Sequence, residues 1–394
     1  MGILGLSKLL YDKSPNAIRE QQLKNFSGRV IAIDASMSIY QFIIAMKGFH
    51  NGEGMELKSG YGDVTSHLNG LFARTLRMID EGIKPIYVFD GKPPKLKADE
   101  LEARRQKAAE AEREFEKAKD AGDDEMMEKM GKRTVRVSRE QMEECKKLLQ
   151  LMGVPVVQAP SEAEAQCAEL VKKGKAWAVG TEDMDALTFG SKVMLRHLSL
   201  SDAKKRPIAE IHLDTVLRST DLSMDQFIDL CILLGCDYVP KISGIGPQKA
   251  WEGIKRYGTI ESFLESLDMT KHSVPPDFYY KEARAFFKNP EVTPAEEVDI
   301  HFSEPDEAGL IQFLVEEKVF NPERVNKGIA RLRAALTKKT QMRLDSFFTI
   351  KAPPTVAAAR TPIVGKKRPR DGRSVHVSGI LQKTTGGHKK AVKK

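Results

Sequence analysis

The chain has 394 residues, 41% hydrophobic and 30% charged, with a formal net charge of +8. It could hold two or three average domains or one large α/β body with appended segments. No run of about 18 apolar residues occurs, so no membrane span is predicted. The amino terminus has neither a signal peptide nor a myristoylation pattern. The four cysteines form no C-x-x-C pair, which disfavours a zinc site or disulfide framework and favours reduced intracellular thiols.

The positive charge is concentrated in the tail. Residues 351–394 contain twelve Lys and Arg residues and a single acid, a local charge of +11, which leaves −3 for the rest. Any nucleic-acid surface on the body must therefore be a local patch. Residues 366–370 form a basic cluster of the nuclear-import type, although basic tails also bind nucleic acid without specificity.

Two apolar runs near the amino terminus each close on an acid. Residues 29–34 end at Asp34, and residues 84–89 precede Asp90. Their continuous hydrophobicity predicts strands of a parallel sheet, and helices over 35–45 and 65–81 would complete a βαβ unit with a crevice at its carboxyl edge. Residues 1–28 are predicted to be mostly helical, and residues 47–63 a loop. For Asp34 alone, a helix cap is the more common role.

A strongly charged segment follows the second run. Fourteen of the twenty-three residues in 98–120 are charged, and a break at Gly122 separates a second helical piece that ends near residue 132. The pattern predicts an exposed helical hairpin, with a solvated coiled-coil arm as the simplest interpretation. Lys97 and Arg104 are two helical turns apart and could face one direction. Because both lie near Asp90, a phosphate-facing role is a hypothesis.

Two pairs of acids in the middle of the chain follow apolar runs. Glu162 and Glu164 come after residues 154–157, and Asp183 and Asp185 come after residues 176–179. Each pair has a simpler interpretation, a capping box that starts at Ser161 for the first and a helix cap for the second. Two carboxylates about 4 Å apart repel by roughly 4 kcal/mol at an effective dielectric of 20, and a divalent metal is the usual remedy.

A seventh acid, Asp237, ends a predicted helix over residues 224–235, after two further predicted strands at 193–196 and 208–211. Gly244 and Gly246 then form a turn before a helix that carries Lys249. Glycines at such a turn let backbone N–H groups approach a phosphate, which favours non-specific binding of a duplex.

The last predicted helices continue to about residue 336 and are followed by a short aromatic stretch. Leu344, Phe347 and Phe348 could pack the last helix onto the body. Alternatively, they are the anchors of a short partner-binding peptide.

The acids together point to metal chemistry. There are seven of them: Asp34, Asp90, Glu162, Glu164, Asp183, Asp185 and Asp237. They exceed what one Mg²⁺ ion binds directly, so two ions fit better. Paired metals suit in-line displacement at phosphorus, and the absence of Cys and His from these motifs disfavours zinc. The residues alone predict a Mg²⁺-dependent phosphodiester hydrolase that acts on nucleic acid.

Nearly the whole chain resembles the eukaryotic flap endonucleases, which are related to the XPG-type repair nucleases. The matching stretches are residues 1–6, 34–42, 88–94, 161–166, 181–185, 234–238 and the Q-x-x-hydrophobic-x-x-aromatic-aromatic box at 341–348. The resemblance implies an α/β fold: a central, mostly parallel sheet flanked by helices, a helical arch and cap, a helix–two-turn–helix region and a disordered basic tail. The implied domains are a nuclease body in three parts (1–108, 138–257 and 258–340), the arch (109–137), a sliding-clamp peptide (341–349) and the tail (350–394).

The resemblance also implies residue roles. The seven acids would hold two Mg²⁺ ions, and Lys97 and Arg104 would be the catalytic basic pair. The implied DNA contacts are Tyr40, Lys47, Thr65, Arg74, Glu162, Gly235, Asp237, Gly244, Gly246 and Lys249. The implied clamp contacts are Gln341, Leu344, Phe347 and Phe348. Two departures matter, since Lys47 stands where the family has Arg and the loop before Thr65 is longer than usual.

The implied function is a structure-specific 5′ flap endonuclease with 5′→3′ exonuclease activity, serving Okazaki fragment maturation and long-patch base excision repair. The implied partners are branched DNA and the sliding clamp, proliferating cell nuclear antigen, and no membrane is involved. The nuclease body is expected to be a monomer. The expected compartment is the nucleus, with mitochondria as a second one. The alternative from another class is a non-catalytic junction-binding scaffold that recruits the clamp. A Mg²⁺-dependent phosphatase would leave the arch, the glycine turn and the tail unexplained.

Overall fold

The computed structural model describes residues 2–46, 48–50, 53–55, 65–198, 206–268 and 270–337. The chain divides into two units, Met1–Arg343 and Leu344–Lys394, and the second lies outside the described residues. The predicted clamp peptide and basic tail therefore stay predictions, as do the other domain boundaries. Within the described residues, no helix combines the length and hydrophobicity needed to cross a bilayer.

The centre of the body is a seven-stranded sheet in the order β1-β9-β8-β7-β2-β5-β6, and a separate hairpin pairs β3 with β4. The strands are β1 Ile18–Gln21, β2 Val30–Asp34, β3 Gly48–His50, β4 Glu53–Met55, β5 Lys84–Phe89, β6 Val156–Gln158, β7 Ala178–Gly180, β8 Val193–Arg196 and β9 Ile208–His212. The neighbouring strands from β8 to β6 run parallel. Strand β9 pairs antiparallel with both β8 and β1. The prediction of a mostly parallel sheet is confirmed.

Helices cover both faces of the sheet. In chain order they are α1 Leu6–Lys13, α2 Ala35–Met46, α3 Ser66–Asp80, α4 Ala98–Ala121, α5 Asp124–Arg133, α6 Arg139–Leu151, α7 Ala163–Lys172, α8 Asp185–Thr188, α9 Leu213–Thr220, α10 Met224–Leu234, α11 Pro247–Tyr257, α12 Ile260–Glu265, α13 Tyr280–Lys288, α14 Glu307–Ile311 and α15 Pro322–Thr337. A π-helical segment, Gln312–Glu317, follows α14.

The central strands are buried on both faces, as their continuous hydrophobicity predicts. Ile31 and Ile33 of β2 enter one core with the helices α2, α3 and α6, whereas Ala32 between them enters the other core with α7 and α10. Alternate side chains of a strand point to opposite faces, which explains this division. Burying an Ile or Leu side chain contributes about 1.5–3 kcal/mol, so both cores hold the sheet in place.

The charged segment forms a helical hairpin, as predicted. Gly122, with φ of 69°, ends α4 in a left-handed turn, and Asp123 begins α5 by accepting a hydrogen bond from the backbone N–H of Met126 at 2.9 Å. Ala111 and Ala118 of α4 and Met127 and Met130 of α5 are buried, while most of the charged side chains are exposed. The hairpin α4–α5, with its base at Lys97, is called the arch below.

Two sequence predictions were wrong in part. Residues 18–21 form the edge strand β1 instead of continuing a helix, because they pair antiparallel with β9, a partner about 190 positions away in the chain. Residues 47–63 were predicted to be a loop, yet β3 and β4 form a short hairpin within that range. None of the three strands carries the apolar run or alternation that would reveal it from sequence.

Candidate active site

Parallel strands bring six of the seven acids to one edge of the sheet. Asp34 ends β2, Asp90 follows β5, the Glu162 pair follows β6 and the Asp183 pair follows β7. These four strands are direct neighbours in the sheet, in the order β7-β2-β5-β6. Carboxyl ends of adjacent parallel strands share one edge, so residues from distant parts of the chain meet there. Asp237 joins them from the turn after α10.

Short distances define the cluster. One carboxylate oxygen each from Asp90, Glu162 and Glu164 lie within 4.8 Å of one another. Lys97 Nζ is 2.6 Å from Glu162 Oε2 and 3.7 Å from Asp237 Oδ2, so one ammonium group connects two acids. Apart from Asp90 and Asp237, the seven acids are buried.

The simpler interpretations of these acids fare differently. Asp34 does cap α2, because its Oδ1 accepts a hydrogen bond from the Met37 N–H at 3.0 Å, but its Oδ2 accepts one from Thr181 Oγ1 at 2.9 Å within the cluster. The capping box at Ser161 is wrong, since α7 begins after Glu162 and no side chain caps it in that way. Instead, the Ala163 N–H donates to Asp90 Oδ1 at 2.8 Å. An acid from a different strand therefore occupies the start of α7.

The second acid pair is organised within its own loop. The Asp183 N–H donates to Thr181 Oγ1 at 3.1 Å, and the Asp185 N–H donates to Asp183 Oδ1 at 3.0 Å. No side chain caps the short helix α8, so the cap predicted from Thr181 or Asp183 is absent there. The second bond holds the Asp183 carboxylate against the backbone at the start of α8.

The loops after β5 and β6 are bonded to each other through their backbones. The Gly91 N–H donates to the Ser161 carbonyl at 2.7 Å, the Lys92 N–H donates to the Pro160 carbonyl at 3.0 Å, and Gln158 Nε2 donates to the Asp90 carbonyl at 2.7 Å. Asp90 and Glu162 are consequently fixed relative to each other by the main chain.

Burial and mutual repulsion govern the titration of the cluster. Burial, with the nearby charge of Asp90, raises the pKa of Asp34 to about 8. Burial raises the pKa of Asp185 and of Glu164 well above the usual carboxyl range, and neighbouring acids add to both shifts. The pKa of Glu162 is also raised by burial, although Lys97 opposes the change. Such a set resists full ionisation unless a cation neutralises it.

The donor set fits a hard divalent cation. All seven side chains offer oxygen, the ligand that Mg²⁺ and Mn²⁺ prefer. Asp185 Oδ1 is buried and, among the described residues, has no hydrogen-bond partner, so an acceptor remains available for a ligand. The cluster can therefore hold metal by its own chemistry.

Metal affinity is expected to rise between pH 6 and pH 8. The pKa of Asp34 in the metal-free fold is about 8, against an ordinary 3.8. Between these two pH values the fold holds a proton that the unfolded chain releases, so the free energy of unfolding falls as the pH rises from 3.8 to about 8. Binding a cation must displace that proton, so apparent affinity should rise about tenfold per pH unit for each proton displaced. Calorimetric titration with Mn²⁺ at three pH values, in buffers of different ionisation enthalpy, measures both quantities. Equal affinity and no proton release at every pH would contradict the expectation.

The basic pair at the base of the arch faces the acids. Arg104 Nη2 is 2.7 Å from Asp237 Oδ2, and the same guanidinium pairs with Glu100. Burial alone would lower the pKa of Lys97, but Glu162 and Glu164 outweigh it and raise that pKa, as Asp237 and Glu100 do for Arg104. Both cations therefore stay charged beside the cluster.

A cavity of about 1130 Å³ lies between the arch and the acids. Six of the seven acids line it, together with Tyr40, Lys97 and arch residues that include Arg104, Lys107 and Arg133. The basic side chains in its lining suit an anionic chain.

The other predicted DNA contacts lie at several places. Thr65 is buried at the start of α3, and the Arg74 guanidinium packs 4.2 Å from the Phe42 ring centre, where burial lowers its pKa to about 10. Gly244, with φ of 76°, and Gly246 precede α11, and Lys249 Nζ donates to the Gly244 carbonyl at 3.1 Å.

Gly235, with φ of 107°, accepts a hydrogen bond from the Leu4 N–H at 3.0 Å. Lys47 and the clamp residues Gln341, Leu344, Phe347 and Phe348 lie outside the described residues, as do residues 56–64 of the loop before Thr65.

Sequence reasoning missed the contribution of the amino terminus. Gly2 packs directly on the acids, because a Cβ there would overlap the Asp183 carboxylate and stand 2.6 Å from Asp185 Oδ1. Its φ of 68° is also unfavourable for other residues. A glycine at position 2 was the only local signal.

Comparison with known proteins agrees with this geometry. The XPG N-terminal domain family matches residues 1–111 and the XPG I-region family matches residues 153–237. A flap endonuclease 1 from Leishmania braziliensis is 85% identical over 395 residues, covering 100% of both chains. The structure of flap endonuclease-1 from Methanococcus jannaschii is 35% identical with a TM-score of 0.63, covering 81% of this chain and 96% of that one. The catalytic core of Rad2 in complex with DNA substrate has the same fold, at 24% identity and a TM-score of 0.65 over 84% of this chain and all of that one.

The fold and the carboxylate cluster define a metal-dependent nuclease of the XPG class. Within that class, the sequence relatives identify the family. The Leishmania braziliensis protein is similar over the whole chain, including the arch. The chain belongs to the flap endonuclease family.

Proposed function

We propose that this protein hydrolyses a phosphodiester at the base of 5′ flaps in branched DNA, with associated 5′→3′ exonuclease activity. The observation that carries the proposal is the position of the acid cluster in the cavity beneath the arch, where Lys97 and Arg104 at the base of the arch pair with the acids. A free 5′ strand that passes under the arch would bring one phosphate to the acids. Recognition would depend on the shape and backbone of the junction.

Two Mg²⁺ ions are the proposed cofactors, held by the seven acids, and would activate water and stabilise the leaving oxygen. The residues of the chain supply the remaining functions. Lys97 donates to Glu162 and Arg104 donates to Asp237, and both would exchange these partners for the scissile phosphate. The turn at Gly244 and Gly246, with Lys249, would anchor the duplex at a fixed distance from the cut.

The wider role is proposed from the family and the tail. We infer that the protein acts in Okazaki fragment maturation and long-patch base excision repair, in the nucleus and also in mitochondria, as a monomeric nuclease body bound to the sliding clamp. Support comes from the sequence box at residues 341–348 and the basic cluster at 366–370.

The clamp proposal predicts a separation of functions. Replacing Leu344, Phe347 and Phe348 together with alanine should abolish binding to the sliding clamp, because the three anchors supply the apolar contacts of the peptide. Cleavage of free flaps should be unchanged, since the catalytic acids belong to the other unit. Surface plasmon resonance against immobilised clamp measures the first quantity, and wild-type clamp affinity in the triple variant would contradict the proposal.

The activity itself is tested with an end-labelled double-flap DNA incubated with Mg²⁺ or with EDTA. One incision at the flap base that requires Mg²⁺ and is blocked by a streptavidin-capped 5′ end is the expected result. Binding without incision under Mg²⁺ would instead support the scaffold alternative. Equal cleavage of unbranched single strands would retain the nuclease and contradict the flap specificity.

A further inference from the structure

The amino-terminal segment, residues 2–7, connects two loops that carry acids. Gly2 packs against Asp183 and Asp185, and the Leu4 N–H donates to the Gly235 carbonyl at 3.0 Å, two residues before Asp237. The segment thus contacts both the loop after β7 and the turn after α10, about fifty residues apart in the chain. Its placement determines how these acids face one another.

Arg196, the last residue of β8, binds both this segment and the loop after β7. Its Nη1 donates to Ser7 Oγ at 2.8 Å, and its Nη2 is 3.3 Å from Glu182 Oε2. Glu182 stands between Thr181 and Asp183, and its other oxygen accepts a hydrogen bond from the His197 N–H at 2.5 Å. The Arg196 and Glu182 side chains are only 19% and 16% exposed, so water screens their attraction less than at an open surface.

We propose that Arg196 is a positioning residue for the metal site. Through Glu182 it fixes the loop that carries Asp183 and Asp185, and through Ser7 it fixes the segment that lies between this loop and the turn before Asp237. Arg196 does not reach the acids themselves. The inference rests on the proposed function, because it assigns Arg196 to the same metal-binding acids.

The geometry requires arginine. The guanidinium presents two nitrogens in a planar fork, and here each nitrogen binds a different element of the fold. A lysine ammonium is a single point and cannot span Ser7 and Glu182 in the same way. The neighbouring His197 has φ of 65°, a backbone conformation that non-glycine residues rarely adopt, and the bond from its N–H to Glu182 helps to maintain it. The local structure is therefore built around this carboxylate.

The test compares Arg196→Met, Arg196→Lys and Ser7→Ala with wild type. Arg333→Met is the matched control, because Arg333 forms an arginine–carboxylate pair with Glu307 on α15 and α14. The first readout is Mn²⁺ affinity of the DNA-free protein by calorimetry. The second is the Mg²⁺ concentration for half-maximal flap cleavage, and flap affinity in Ca²⁺ and the unfolding temperature complete the set.

Residues that orient metal ligands typically contribute 10–100-fold to metal affinity. We expect Mn²⁺ affinity to fall about tenfold in Arg196→Met and about threefold in Ser7→Ala, with cleavage recovered at high Mg²⁺. Arg196→Lys should resemble Arg196→Met more than wild type. Flap affinity in Ca²⁺ should equal that of wild type in all three variants. The control Arg333→Met should have wild-type metal affinity.

An Arg196→Met protein with a lower unfolding temperature but wild-type metal affinity would overturn the proposal, because Arg196 would then be merely structural. If Arg196→Met fails to fold, Ser7→Ala and Arg196→Lys decide, and wild-type metal affinity in both contradicts it. Failure of the wild type to cleave flaps would contradict the proposed function alone, since the metal-affinity comparison does not depend on cleavage.

Discussion

Replacing Asp185 with alanine is expected to reduce flap cleavage by about 10³-fold or more, which corresponds to about 4 kcal/mol of transition-state stabilisation. Asp185 is buried in the cluster, its Oδ1 has no partner among the described residues, and its N–H is already bonded to Asp183. The carboxylate thus remains available for metal. Flap affinity in Ca²⁺ should stay within about threefold, because the groups proposed to anchor DNA lie elsewhere.

The metal-free variant should also be more stable than the metal-free wild type. Burial and the charge of Asp183 raise the pKa of Asp185, so removing this carboxyl relieves a cost of folding. Added Mg²⁺ should stabilise the wild type more than the variant. Asp214 is an exposed acid on α9, and Asp214→Ala is the control. It should change neither the stability of the metal-free protein nor the stabilisation by added Mg²⁺. Equal loss of binding and cleavage in Asp185→Ala would show that the carboxyl is structural.

The acids were predictable from sequence because of how parallel sheets are built. Each of Asp34 and Asp90 follows an apolar run, and the carboxyl ends of parallel strands share an edge, so a local pattern carried three-dimensional information. Asp34 shows why the choice between cap and ligand was not exclusive. One of its oxygens caps α2 and the other faces the cluster, and both roles use the same position at the end of β2.

The contacts that hold the acids in register were not predictable. Asp90 accepts a hydrogen bond from the Ala163 N–H at the start of α7, 73 positions away in the chain. Neither segment has a sequence pattern that indicates this bond. Ser161 matched a capping box because local patterns do not report a competing acid from another strand. Arg196 looked like the last residue of a strand, and nothing in its neighbourhood indicated Ser7, 189 positions away.

Gly91 offers the second large effect, because it lies where the two acid-bearing loops touch. A Cβ at this position would overlap the carbonyl oxygens of Ala159 and Pro160 and stand 2.5 Å from the carbonyl carbon of Pro160. These atoms belong to the backbone, so no flexible side chain can move away. Gly91→Ala must therefore separate the loops that the Gly91 N–H joins to Ser161.

Gly91→Ala is expected to lower the free energy of unfolding by about 3 kcal/mol, as overpacking of a tight site does. It should also lower kcat about 100-fold, since a displacement of about 1 Å between catalytic groups costs that much. Chemical denaturation and single-turnover cleavage measure the two effects.

Gly246→Ala is the control for unfolding, because a Cβ there meets nothing within 4 Å. Loss of stability in Gly91→Ala with wild-type kcat would contradict the argument that the backbone bonds between these loops set the separation of Asp90 and Glu162. Loss of both stability and kcat would show that the close backbone contact at Gly91, which only a residue without a side chain allows, fixes the distance between acids contributed by neighbouring strands.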